Sequence, residues 1–275
     1  MNIQQLTEML INSGIEPNEA KYEIKMLLGH FCDYTELDKL HGHALSGEQL
    51  SLIEEKVNIR IKSRTPIQYI IGQAYFMGEY FKVTPDVLIP RDETEILVRK
   101  SIELINKYNL KSVLDIGTGS GCIACTIAKN TSATVLGVDI SNDALRIALD
   151  NVTGLGINNK AVFRKSDLFD GIREDEKFNL IVSNPPYIPK NTELSPEVHQ
   201  EPSLALYADD NGYEFYKKII EQAPKYLTNG GYIIFELGIN QAETVKSFLM
   251  RDFAEIEIIK DLAGIERVIL GKFIK

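Results

Sequence analysis

Asn184-Pro185-Pro186-Tyr187-Ile188-Pro189 follows the apolar run Leu180-Ile181-Val182-Ser183, and its residue types suit a holder for a planar nitrogen group. Proline fixes its own φ and pushes the preceding residue out of the helical region. The Asn184 side chain and the Pro185 carbonyl are therefore held rigidly and present two acceptors in one direction. A primary amide or an exocyclic amine has two N–H donors to match them, leaving its π face toward an incoming electrophilic carbon. Such nitrogens are poor nucleophiles because their lone pair is delocalised. Two fixed acceptors align the attack and stabilise the positive charge that develops on nitrogen. Asn184, Pro185 and Tyr187 are thus the candidate catalytic residues, and Asn184, Pro185, Pro186 and Tyr187 the candidate substrate holder, with the Tyr187 ring able to pack on the planar group. No strong base is needed before attack, since the proton can leave afterwards. The plain alternative is a proline-rich turn that only closes a strand.

The second constellation is Asp115-Ile116-Gly117-Thr118-Gly119-Ser120-Gly121, between a buried strand and a helix. Its glycines let the backbone turn tightly and approach a ligand. Asp139 ends the next strand, where an acid can accept both hydroxyls of a ribose. The spacing is GxGxG rather than the GxGxxG of dinucleotide sites. The Asp115 carboxylate would repel a pyrophosphate and attract the ammonium of an amino-acid-bearing cofactor. That combination favours S-adenosyl-L-methionine, with S-adenosyl-L-homocysteine as product, and makes the incoming carbon a methyl group. Cys122 and Cys125 have redox spacing near a helix start, but free cysteines also serve as small apolar residues there, and further metal ligands are missing. His41 and His43 likewise have no companion acid or cysteine nearby. No metal site is expected.

These residues need a scaffold. From Lys111 onward, strand-like runs at 113–116, 134–138, 161–164, 179–183 and 232–236 alternate with helical stretches at 123–129, 143–151 and 213–226. Such alternation implies a parallel sheet covered on both faces. Residues 256–260 and 267–270 flank a turn with Gly264 and predict an antiparallel pair at the sheet edge. Upstream, Ile3, Leu6 and Leu10 keep helical spacing, Pro17 suits an early helix position, and Ser46 with Gln49 forms a capping-box pattern before Leu50, Ile53, Val57 and Ile61. Residues 74–83 have the composition of a β-hairpin, 84–95 read as an ordered connector, and 96–105 as a helix. The expected domains are therefore 1–70, a helical bundle; 71–95, hairpin and connector; and 96–275, the α/β domain.

Composition narrows the function. A net charge of -9 over 275 residues argues against a broad phosphate-facing surface, so no direct nucleic-acid partner is expected. Apolar runs such as 232–235 are too short to cross a bilayer, and the N-terminus lacks a basic stretch followed by an apolar one. Three cysteines cannot form a disulfide framework. The reading is a cytoplasmic monomer with no membrane association.

The sequence resembles the HemK/PrmC family, the protein-(glutamine-N5) methyltransferases that modify the GGQ glutamine of bacterial peptide chain release factors. Beside the two constellations, the resemblance is carried by Tyr69-Ile70-Ile71-Gly72, Leu88-Ile89-Pro90-Arg91-Asp92-Glu93-Thr94-Glu95, Glu201-Pro202 with Ala205-Leu206, Glu236-Leu237-Gly238 with Gln241, and Asp261-Leu262-Ala263-Gly264 with Glu266-Arg267-Val268. It implies a Rossmann-like class I S-adenosylmethionine-dependent methyltransferase fold, mostly parallel and seven-stranded with an antiparallel edge. It implies cofactor contacts at Gly117, Thr118, Gly119, Ser120, Gly121, Asp139, Asp167, Leu168 and Asn184, and release factors 1 and 2 as substrates docked by the helical domain. Asp92 stands where the family commonly has proline, and Leu168 where some members have an aromatic. Glu201 is either a substrate-facing carboxylate or a salt-bridge partner. The NPPY element itself is shared with DNA and RNA amino-methyltransferases acting on adenine N6 or guanine N2. Those enzymes are one rival, and a non-catalytic adenosyl-binding partner of the translation machinery is the other.

Overall fold

The computed structural model describes residues 2–274. The chain divides into two compact units, Met1–Gln73 with Leu194–Gln200, and Ala74–Glu193 with Glu201–Lys275.

The first unit is helical: α1 (Ile3–Asn12), α2 (Pro17–Cys32), α3 (Glu36–Leu40), α4 (Gly47–Ser63) and α5 (Ile67–Ile71). Capping boxes at Asn2 with Gln5, Thr35 with Asp38 and Ser46 with Gln49 satisfy backbone donors at three helix starts. Leu6, Leu10, Ile24, Leu27, Ile53 and Val57 meet in its core. Leu194–Gln200 belongs here because Glu197 accepts from Arg60 Nη1 at 2.9 Å, while Arg60 Nε, itself buried, donates to Glu23 at 3.0 Å.

The second unit opens with the hairpin β1 (Gln73–Phe76) and β2 (Glu79–Lys82), followed by α6 (Asp92–Tyr108). Then β3 (Ser112–Ile116), α7 (Cys122–Asn130), β4 (Thr134–Asp139), α8 (Asn142–Gly154), β5 (Ala161–Lys165) and β6 (Phe178–Ser183) build most of the sheet. After β7 (Ile188–Pro189), α9 (Ser203–Leu206), β8 (Tyr207–Ala208) and α10 (Glu214–Gln222), the chain adds β9 (Leu227–Glu236), α11 (Ala242–Leu249), β10 (Phe253–Lys260) and β11 (Glu266–Phe273). The seven-stranded order is β10-β11-β9-β6-β3-β4-β5, parallel except that β11 runs antiparallel to β9 and β10. This is the class I methyltransferase fold expected from the sequence. Alternate residues explain its two cores: Val113, Val135, Leu180 and Ile234 face α6 and α7, whereas Leu114, Leu136, Ile181 and Phe235 face α10 and α11.

Three local readings change. The helix expected at 96–105 begins at Asp92, because Asp92, Glu93 and Glu95 fill its first turn and favour the positive end of the helix dipole. Asp92 is the first residue of that helix, a position that also accepts proline. The helix expected at 213–226 ends at Gln222 and passes into a 3₁₀ turn, since Pro224 supplies no N–H. The strand expected at 232–236 starts earlier, at Leu227. Among the described residues, no helix is long and apolar enough to cross a membrane.

Candidate active site

From β3 the chain builds outward to β4 and β5, then returns to place β6 on the other side of β3. That reversal opens a crevice at the carboxyl ends of the strands, the usual ligand position in such sheets. The glycine loop leaves β3, Asp139 ends β4, and Asn184 leaves β6. A cavity of about 350 Å³ lies there, lined among others by Gly117, Gly119, Asp139, Asp167, Leu168, Asn184, Pro185 and Pro186. Asp115, Thr118, Ser120, Gly121 and Tyr187 are not on its lining.

The loop is shaped by three glycines at positive φ: Gly117 at 72°, Gly119 at 53° and Gly121 at 79°, angles that side chains with a Cβ rarely adopt. Gly117 N and Thr118 N both donate to Val138 O, at 2.9 and 3.0 Å. Gly119 N donates to Asp139 Oδ2 and Ser141 N to Asp139 Oδ1, each at 2.9 Å. Asp139 is thus fixed by two backbone donors, one per oxygen, and each oxygen keeps a lone pair for a ligand hydroxyl. Burial raises its pKa above the ordinary carboxylate value despite those bonds.

Asp115 sits one layer behind the lining. It is fully buried, its Oδ2 accepts from Thr118 Oγ1 at 2.6 Å, and its Oδ1 is an orphaned buried acceptor, as is Ser120 Oγ. Burial pushes its carboxyl up to about 7, against the pull of the Thr118 hydrogen bond. Near neutral pH the carboxyl is then poised between its two forms, and a nearby ammonium would favour the carboxylate. Leu168 lines the cavity at φ 47°, its carbonyl accepting from Ser166 Oγ at 2.7 Å.

The Asn184 motif is held from behind. Asn184 Nδ2 donates to Thr94 Oγ1 at 3.3 Å, and Thr94 Oγ1 donates to Glu236 Oε2 at 2.6 Å. Tyr187 OH donates to Glu236 Oε1 at 3.3 Å. The Tyr187 ring packs against the α10/α11 core and is not on the cavity lining. Burial raises its phenol pKa. Its carbonyl accepts from Gln241 Nε2 at 3.1 Å, and Gln241 Oε1 in turn accepts from Gly238 N and Tyr216 OH at 3.0 and 3.2 Å. Gly212 closes the motif from the other side: at φ 89°, a Cβ there would stand 2.2 Å from Tyr187 O.

Glu201 resolves as a salt-bridge partner. Its buried carboxylate pairs with Arg91 and accepts from Ile89 N at 3.1 Å. Cys122 and Cys125 are buried core residues, and burial pushes the Cys122 thiol up to about 12. Thr94, Tyr216, Glu236 and Gln241 are the supporting residues that motif reading left without a role. Thr94, Glu236 and Gln241 lie in segments that carry the family resemblance, but nothing local in those segments says that they meet.

A parallel sheet with a glycine loop, a ribose-suited acid and an NPPY corner around one crevice defines a class I methyltransferase. Residues 108–262 match the family model described as Methyltransferase domain. A Fusobacterium nucleatum protein named release factor glutamine methyltransferase is 43% identical, over 82% of this chain and 65% of its own longer one. A Geobacter sulfurreducens protein of the same name is 41% identical, over 96% of this chain and 92% of its own. The chain belongs to the release factor glutamine methyltransferase family. A solved methyltransferase structure from Pyrococcus furiosus shares the fold, with TM-score 0.52 at 18% identity over 83% of this chain and 98% of that one.

Proposed function

We propose that this enzyme methylates the side-chain amide nitrogen, N5, of the GGQ glutamine of bacterial peptide chain release factors 1 and 2. The observation that carries this reading is the Asn184 side chain on the cavity lining with its amide donor turned inward to Thr94. Its Oδ1 is then left to accept from a substrate amide, beside the rigid Pro185 carbonyl. S-adenosyl-L-methionine supplies a methyl carbon activated by a sulfonium and departs as S-adenosyl-L-homocysteine. Gly117, Gly119, Asp139, Asp167 and Leu168 are the lining residues suited to hold it, with Asp139 for the ribose hydroxyls and Asp115, behind the lining, for the ammonium. The orphaned Asp115 Oδ1 and the positive-φ glycine loop fit such a ligand.

Asn184 and Pro185 orient the amide so that its nitrogen faces the methyl carbon, and they stabilise the charge that builds there. The nitrogen gains one bond to carbon and afterwards loses one proton to solvent. The helical unit serves, in this reading, to dock the release factor, and the enzyme works as a cytoplasmic monomer without a direct nucleic-acid partner. The net charge of -9 supports a protein substrate over a polyphosphate one.

Incubation with methyl-labelled S-adenosyl-L-methionine and, separately, release factor, tRNA, rRNA and DNA tests the assignment. Label is expected in release factor alone. Label in nucleic acid but not in release factor would favour an amino-methyltransferase of bases, and no transfer to any of them a binding partner.

A further inference from the structure

We propose that Thr94 and Glu236 are positioning residues that set the polarity of the Asn184 side chain, so that it meets the substrate nitrogen with its oxygen and not its NH₂. The inference rests on the reading of Asn184 as the amide holder.

Glu236 closes β9, is buried, and makes no ion pair among the described residues. A hydroxyl has one proton to give. Thr94 gives it to Glu236 Oε2 at 2.6 Å, so the Thr94 oxygen can only accept, and the group facing it at 3.3 Å must be the Asn184 NH₂. Because the carboxamide is planar, Oδ1 then points the opposite way. The other carboxylate oxygen takes the Tyr187 hydroxyl, so a single group ties both ends of the Asn184–Tyr187 corner. Without an acceptor at the root of this chain, the Thr94 proton can turn toward Asn184, whose amide then rotates to present NH₂ against a substrate NH₂. Two donors would face each other where the reaction needs a donor and an acceptor.

Titration of Glu236 should act in the same way. The groups facing it are Thr94 and Glu93 on α6, Tyr187 after β6, Tyr216 on α10 and Arg267 on β11. Burial raises its carboxyl to about 7, opposed by the Thr94 and Tyr187 hydrogen bonds.

The test uses the full chain with S-adenosyl-L-methionine and release factor, comparing wild type, Thr94→Val, Thr94→Ser and Glu236→Gln. Thr94→Val and Glu236→Gln should each lower kcat by about 10²-fold, while cofactor Kd stays within about threefold and Thr94→Ser within about threefold of wild type. At saturating S-adenosyl-L-methionine, where Asp115 is already paired, the acid limb of kcat/KM for release factor near neutral pH should flatten in Glu236→Gln. Thr94→Val at wild-type kcat, or Thr94→Ser failing as badly as Thr94→Val, would overturn the inference. If wild type does not methylate release factor, the functional reading fails by itself, and hydrogen exchange of the Asn184 side-chain amide, followed with isotope-labelled asparagine, decides this one. Protection in wild type and Thr94→Ser that is lost in Thr94→Val supports it; equal exchange in all three contradicts it. Should Glu236→Gln fold poorly, the Thr94→Val and Thr94→Ser comparison alone decides.

Discussion

In the proposed reading, Asp139 serves the cofactor and Asn184 the substrate amide. Asp139 is fastened by two backbone amides before any ligand arrives, so its remaining lone pairs are preorganised for a diol. Asp139→Ala should raise the Kd for S-adenosyl-L-methionine by about 10-fold to 100-fold, with a much smaller change in kcat at saturation, as calorimetric binding and steady-state rates would show. An equal affinity would remove it from the cofactor site. Asn184→Ala should do the reverse, lowering kcat by about 10² to 10³-fold while sparing cofactor affinity. Both residues were legible in the sequence, because each closes a strand in a motif whose spacing is local. The pairing of Thr94 with Glu236 was not, because their hydrogen bond joins positions 142 residues apart, and no local pattern encodes which distant hydroxyl meets a buried acid. The inward packing of the Tyr187 ring was hidden for the same reason: its hydroxyl meets that acid, and its position depends on α10 and α11.

At the scale of elements, the alternation of buried strands and helices announced the sheet, since strands buried on both faces read as continuous apolar runs. Short elements did not announce themselves. β7 pairs with β8 only through Ile188 with Tyr207 and Pro189 with Ala208, too few residues for any periodicity. The return of Leu194–Gln200 to the helical unit depends on Glu197 finding Arg60, a pairing invisible along the chain. Gly212 shows how such a segment bears on the site. Its φ of 89° and the 2.2 Å between a notional Cβ and Tyr187 O forbid a side chain. Gly212→Ala should lower stability by about 2 to 4 kcal/mol in denaturant titration and reduce kcat by shifting the corner that carries Asn184. A variant as stable as wild type would mean that this loop yields freely.

For the molecule as a whole, two fully buried carboxyls set a pH dependence of stability. Asp115 and Glu236 are each raised to about 7 by burial, from ordinary values of 3.8 and 4.5. Between those limits the folded chain holds more protons than the unfolded one, so stability falls as pH rises from about 4 to about 7 and levels off above. Melting temperatures across that range should decline, and Asp115→Asn should flatten the decline. A rise through the same window would show that both groups are ionised in the fold well below neutrality. Bound S-adenosyl-L-methionine should offset part of the loss, because its ammonium favours the charged form of Asp115.

The atom that receives the methyl group separates glutamine methylation from every other reading of this site. Fragment mass spectrometry of release factor treated with the wild-type chain and S-adenosyl-L-methionine, with Asn184→Ala as control, locates it directly. A single methyl on the side-chain nitrogen of the GGQ glutamine, absent with Asn184→Ala, is the predicted result. A methyl on any other residue, or one that persists with Asn184→Ala, would contradict it.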